Sequence, residues 1–166
     1  MGEHVILDKN INTVVTDKIV GIISRDEYLT LYNSNQIEDK QDICLISVYD
    51  PGNYAHPDTK IEGFHKVLQI PFWDLEVGFV DRPVITDEQG KELHDFITQN
   101  KDKKFLIHCS AGKSRSAGVG LALNCLLNHN GDLYKCGTHP NPILDHTRYS
   151  PNYKVRDTIL KWVENT

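Results

Sequence analysis

The sequence predicts an α/β fold, a central and mostly parallel sheet flanked by helices, from three observations. Short apolar runs closed by turn residues alternate with segments of helical periodicity. One run, Phe105-Leu-Ile107, is too short for a helix and apolar on both faces, as a strand covered from both sides must be. The segment from Arg115 to Asn128 (RSAGVGLALNCLLN) is apolar nearly all round, as expected of a helix buried against such a sheet.

The elements follow in order. Ser24 and Glu27 have capping-box spacing, and Tyr28, Leu31 and Tyr32 recur at helical intervals, predicting a short helix from about Arg25. Ile43-Cys-Leu-Ile-Ser-Val48 reads as a buried strand ended by the turn Asp50-Pro-Gly52. Val67-Leu-Gln-Ile70 is a second strand, stopped by Pro71. Thr86 and Gln89 repeat the capping box, and Leu93, Phe96 and Ile97 form the apolar stripe of a helix to about Asn100. Gly118 and Gly120 lower the helix propensity of the Arg115 segment, a cost that close packing against the sheet can offset. Ser150-Pro-Asn-Tyr153 reads as a cap followed by Pro at the first helical position, with Val155, Ile159, Trp162 and Val163 as the buried stripe of a terminal helix. No repeat, low-complexity tract or linker divides the chain, so residues 1–166 are read as one domain.

Composition narrows the function. The 166 residues hold 18 Lys plus Arg against 23 Asp plus Glu, a net charge of −5, which argues against a duplex nucleic acid partner. Chains of this length bury roughly 70% of their unfolded surface, enough for a core without disulfide or metal. Cys44, Cys109, Cys125 and Cys136 form no CxxC pair, so neither a disulfide framework nor a zinc module is predicted, and reduced thiols are expected. Cys136, His139 and His146, with His129, match no metal-ligand spacing, and neither a metal nor a cofactor is expected. The first eight residues lack a basic region followed by an apolar run, and no apolar stretch reaches the roughly 18 residues of a membrane span. The expectation is a soluble, cytoplasmic monomer.

The chemistry concentrates in His108-Cys-Ser-Ala-Gly-Lys-Ser-Arg-Ser116, between the central strand and the buried helix. A loop leading from a parallel strand into a helix amino terminus gathers unpaired N–H groups and the positive end of a helix dipole, which bind an anion such as phosphate. Ser110, Ala111 and Gly112 are small enough to let the amides converge. The same amides and Arg115 favour thiolate over thiol at Cys109. Arg115 also carries a planar guanidinium that can clamp two phosphoryl oxygens at once. Gly112-Lys-Ser114 resembles the end of a nucleotide-binding P-loop, but that motif needs Gly where this chain has Ile107. Between Lys101 and Ser116 there are five basic residues and one acidic, so positive charge gathers around one thiol of an acidic chain.

HCSAGKSRS matches HCxxGxxRS, the signature of the cysteine-dependent protein tyrosine phosphatase superfamily, and the chain length resembles its compact dual-specificity branch, in particular bacterial or phage members. The resemblance extends from about Ile43 to Asn128. It implies a dual-specificity phosphatase-like fold and hydrolysis of phosphate monoesters, phosphotyrosine first and phosphoserine or phosphothreonine also, in a phosphorylated protein substrate. It also implies roles. Cys109 is the nucleophile that forms a phosphocysteine, and Arg115 with the loop from Ser110 through Ala111, Gly112 and Lys113 to Ser114 binds the phosphate. Ser116 assists breakdown of the phosphoenzyme, and His108 fixes the setting of the cysteine. The general acid of such enzymes often follows a strand in a stretch like Ile-Pro-x-x-Asp. Ile70-Pro-Phe-Trp-Asp74 fits, with Asp74 standing 35 positions before Cys109. Asp81 and Asp87 are the alternatives. Phe72 and Trp73 either line the cleft or anchor the loop. Cys125 is expected to be an inert core thiol, and Cys44 either core or a redox partner of Cys109. Other readings remain: a phosphoinositide phosphatase, suggested by Ala111-Gly-Lys113, an RNA 5′-phosphatase, or a phosphate-binding module without turnover.

Overall fold

A computed structural model describes residues 18–51, 60–75, 78, 84–129, 131 and 149–163. The chain runs β1 (Ile19–Ser24), α1 (Arg25–Asn33), a 3-10 turn (Lys40–Asp42), β2 (Ile43–Tyr49), β3 (Lys66–Pro71), α2 (Asp87–Gln99), β4 (Lys104–Cys109), α3 (Arg115–Asn128) and α4 (Tyr153–Leu160). The four strands form one sheet in the order β1-β4-β2-β3, and every neighbouring pair is parallel. The α/β architecture expected from the sequence is the one observed.

The sheet is covered on both faces, and strand alternation shows how. Leu45 and Leu106 point to one side, where they pack with Val20, Ile23, Tyr28 and Leu31 beneath α1. Cys44, Ile46, Val48, Phe105, Ile107 and Cys109 point to the other, into a larger cluster with Leu93 and Ile97 of α2, Ala117 and Leu123 of α3, and Val155 and Ile159 of α4. Every residue of β4 from Phe105 to Cys109 is buried. β4 therefore ends, and the signature loop begins, in the middle of the sheet rather than at an edge.

Both predicted capping boxes are present. The Ser24 hydroxyl accepts from the Glu27 N–H at 3.0 Å, and Thr86 does the same for Gln89 at 3.1 Å. Pro71 closes β3 on the sheet edge, where a missing N–H costs no ladder bond.

Four expectations need correction. β1 was not foreseen: Ile-Val-Gly-Ile-Ile is buried on both faces and so lacks alternation, and its register slips between Ile19 and Gly21. The terminal helix begins two residues later than predicted, because Asn152 rather than Ser150 is its cap, and it ends at Leu160, leaving Trp162 in the following turn with its indole N–H on the Asp87 carbonyl. Gly118 packs not on the sheet but against the Asn152 carbonyl and Val155, where a Cβ would collide, whereas Gly120 does face Ile22 and Ile107 of the sheet. Finally, Cys125 is buried but disulfide-bonded to a partner outside the described residues. A single bridge leaves no spacing pattern to read. No helix among the described residues is long and apolar enough to cross a membrane.

Candidate active site

The loop from Ser110 to Ser114 is shaped by contact with the junction of β1 and α1. Gly112 has φ +70°, and a Cβ there would strike the Ser24 nitrogen and the Ile23 carbonyl carbon, so only glycine lets the loop lie this close. The Arg25 N–H donates to the Ser110 carbonyl at 3.3 Å, tying the loop to the start of α1. So curled, the loop brings the Gly112 N–H to 3.2 Å from the Cys109 sulfur. From the first turn of α3 the Ser116 hydroxyl stands 3.1 Å from the same sulfur. Cys109 itself is 1% exposed. Two hydrogen-bonding groups thus stand within reach of this one sulfur.

Behind the cysteine, His108 points to the opposite face of the sheet and stacks on Tyr28 of α1, ring centroids 4.5 Å apart and planes 15° from parallel. The Tyr28 hydroxyl is in turn bonded to the Lys60 carbonyl. His108 thus packs behind the end of β4, on the face away from the Cys109 sulfur.

Arg115 is held by one end. Its Nη1 donates both to the Asp50 carboxylate at 2.7 Å and to the Phe72 carbonyl at 2.8 Å, while Nη2 donates to the Ser110 hydroxyl at 3.2 Å. A guanidinium has five N–H donors. These three bonds use both hydrogens of Nη1 and one of Nη2, and leave Nε–H with the other Nη2–H as one planar edge. Nε–H and an Nη2–H on the same side of a guanidinium form a fork that can receive two oxygens of a phosphoryl group. Asp50 follows β2 at the start of the turn read as Asp50-Pro-Gly52, and its pairing with Arg115 was not foreseen. The side chain of Arg115 is only 6% exposed, a burial that itself demands a counter-charge, and Asp50 supplies it.

Ser114 is the N-cap of α3 and makes no capping bond with its side chain. Its hydroxyl instead donates to Asp74 at 2.7 Å. Asp74 also accepts from the Asn152 side-chain amide at 3.0 Å, on the same oxygen Oδ1. The Ile70-Pro-Phe-Trp-Asp74 stretch is thereby fastened to the signature loop, with Phe72 buried at 2% exposure as its anchor and Trp73 half-buried. Of the alternative acids, Asp87 lies in the first turn of α2 bonded to Lys161 at 2.8 Å, and Asp81 is outside the described residues.

The remaining loop residues are Ala111 and Lys113, both exposed, and the Lys113 carbonyl accepts the Ser150 N–H at 2.9 Å. The structure thus brings Cys109, Arg115, Asp74, Ser116 and the Ser110–Ser114 loop together. Cys44 it does not. Cys44 pairs with Phe105 across β2 and β4, four residues along the strand from Cys109, a separation of about 13 Å at 3.3 Å per residue. A disulfide needs Cα atoms about 4.4–6.8 Å apart. Cys44 is core, and burial pushes its thiol up to about 11. Cys136, His139 and His146 lie outside the described residues, and no group of three metal-ligating side chains occurs among the described ones.

The fold, in which the central strand of a parallel sheet runs into a cysteine and a loop closed by an arginine, is similar to that of the solved structure of Tk-PTP. Tk-PTP in its active form has a TM-score of 0.53 and 18% identity over 90% of this chain and 95% of that one. The human tyrosine phosphatase-like serine/threonine/tyrosine-interacting protein has a TM-score of 0.48 and 16% identity over 89% and 92%. No family model and no curated protein sequence matches the chain.

Proposed function

We propose that the protein is a phosphatase that hydrolyses phosphate monoesters of proteins, phosphotyrosine foremost, through a phosphocysteine on Cys109. The observation that carries this reading is the convergence on one sulfur of the Gly112 N–H at 3.2 Å and the Ser116 hydroxyl at 3.1 Å, beside an arginine whose phosphate-binding edge is free. Each step follows from these positions. The phosphoryl group enters the loop, where the amides and the Nε/Nη2 edge of Arg115 take its equatorial oxygens and hold the charge that develops on them. The Cys109 thiolate forms a bond to phosphorus as the ester P–O bond breaks, and the leaving oxygen takes its proton from Asp74. With Oδ1 bonded to Ser114 and Asn152, Oδ2 is the oxygen that carries this proton. A water then attacks phosphorus, gives its proton to Asp74, and the S–P bond breaks, releasing inorganic phosphate and restoring the thiolate. Ser116 donates to the departing sulfur in this second step. The products are one alcohol or phenol and one phosphate for each ester and water consumed, with no cofactor needed.

The test is hydrolysis of 4-nitrophenyl phosphate and a phosphotyrosine peptide by the purified chain. Turnover that vanishes in Cys109→Ser is expected. An unreactive wild type, or a Cys109→Ser variant that retains its rate, overturns the reading. Phosphoserine peptide, phosphoinositide and 5′-phosphorylated RNA in the same panel fix the substrate class, and the phosphotyrosine peptide is expected to turn over fastest.

A further inference from the structure

We infer that Asn152 is a positioning residue for the general acid, a reading that rests on Asp74 serving as that acid. Asn152 is 3% exposed and every polar group of its side chain is used. Its Oδ1 accepts the Val155 N–H at 3.2 Å and so caps α4. Its Nδ2 spends one hydrogen on Asp74 Oδ1 at 3.0 Å and the other on the Leu75 carbonyl at 3.1 Å. Its backbone N–H donates to the Ser114 carbonyl at 3.0 Å, and its carbonyl is packed against Gly118 of α3. One buried residue therefore spans the acid loop, the phosphate loop, α3 and α4.

The geometry requires an amide. Capping α4 needs an acceptor, and holding the acid loop needs two donors on the same short side chain. Asp can cap but cannot donate; Ser can cap but is too short to reach the carboxylate. A capping role alone calls for none of the donors on Asp74 and Leu75. With Asp74 Oδ1 tethered by Asn152 and by Ser114 at 2.7 Å, rotation of the carboxylate is arrested and Oδ2 keeps a fixed direction. Proton delivery to a leaving oxygen depends on such placement, since a displacement of about 1 Å can cost a factor of about 100.

The experiment uses the full chain with Asn152→Ser, Asn152→Asp and Asp74→Asn, each assayed on phenyl phosphate and on 4-nitrophenyl phosphate. Phenolate leaves poorly and needs the proton; 4-nitrophenolate needs it much less. Asp74→Asn should lose about 10²–10⁴-fold on phenyl phosphate and far less on the activated ester. Asn152→Ser keeps the cap, so the chain should stay folded, with a melting temperature lowered by the lost bonds to Asp74 and Leu75. Its kcat/KM on phenyl phosphate should fall about 10–100-fold, and by a much smaller factor on 4-nitrophenyl phosphate. Asn152→Asp also caps, sets a second carboxyl against Asp74 in place of the amide donors, and should show at least the same split, so it serves if the serine variant folds poorly. Adding Asn152→Ser to Asp74→Asn should change the rate little further, because the two act through one group. Equal losses on both esters, or no loss, in both Asn152 variants would overturn the positioning role while leaving Asp74 as the acid. An Asp74→Asn variant with no leaving-group dependence would instead overturn the acid assignment itself, and this role with it.

Discussion

Replacing Arg115 by lysine should leave a folded protein that has nearly lost its activity. The Nη1 end of Arg115 is committed to Asp50 at 2.7 Å and the Phe72 carbonyl at 2.8 Å, so the proposed mechanism gives the remaining donors, Nε–H with one Nη2–H, to the phosphoryl group. A lysine ammonium can satisfy Asp50 but cannot at once present two parallel donors to the substrate. Two charge-assisted hydrogen bonds at about 1.5–3 kcal/mol each amount to about 3–6 kcal/mol. At about 1.4 kcal/mol per decade this is a loss of about 10²–10⁴ in kcat/KM. The assay is steady-state hydrolysis of 4-nitrophenyl phosphate, with inhibition by inorganic phosphate as a binding readout and a thermal melt as control. Because the ion pair with Asp50 survives, the melt should move by only a few degrees. An Arg115→Lys variant within about threefold of wild type in kcat/KM would falsify the argument that this edge binds the phosphate, since about half a decade falls far short of two lost hydrogen bonds.

Other consequences follow from the same geometry. Gly112→Ala forces a Cβ into the backbone of Ser24 and Ile23 at φ +70°, so it should displace the loop and weaken inhibition by inorganic phosphate at least about tenfold, together with a lower melting temperature. Ser116→Ala removes the hydroxyl 3.1 Å from the sulfur; a stopped-flow burst of 4-nitrophenolate followed by a slower steady state is expected, and unchanged steady-state turnover would exclude a role in phosphoenzyme breakdown. Burial raises the Cys44 thiol from 9.0 to about 11, so the folded state binds its proton more tightly than the unfolded state does. That contribution to stability is complete below pH 9 and is lost as pH rises to about 11; denaturant melts across this window should show the decline, and Cys44→Ala should flatten it. At neutral pH, iodoacetamide should label Cys109 in the native protein and Cys44 only after unfolding.

The signature loop was legible because its residues are contiguous and each has a chemical reason to be where it is: a small residue at each tight point, a thiol at its start, a guanidinium at its end. The short Ile-Pro-Phe-Trp-Asp stretch after a strand pointed to Asp74, which the fold sets against Ser114 of that loop. α1 and α2 were legible through their capping boxes, which are local in sequence. What escaped reading is non-local. Asp50 lies 65 positions from Arg115 and Asn152 lies 78 from Asp74, and nothing near either residue marks it as a partner. Ser150-Pro151 offered a plausible helix start two residues before the real one, and the decisive fact, that Asn152 Oδ1 accepts the Val155 N–H, requires the fold. β1 hid because a strand buried on both faces has no alternation, and Gly21 interrupts its apolar run. The separation of Cys44 from Cys109 follows only from strand register, which sets them four residues apart along the sheet.

The central claim is that a phosphoryl group passes through the sulfur of Cys109. Mixing the protein with phosphate-labelled substrate, quenching within the first turnover and mapping the label by peptide mass spectrometry tests it directly. One phosphoryl group on the peptide that contains Cys109, absent from Cys109→Ser and accumulating further in Ser116→Ala, is the predicted result. Label on any other residue, or full turnover with Cys109 never modified, would contradict it.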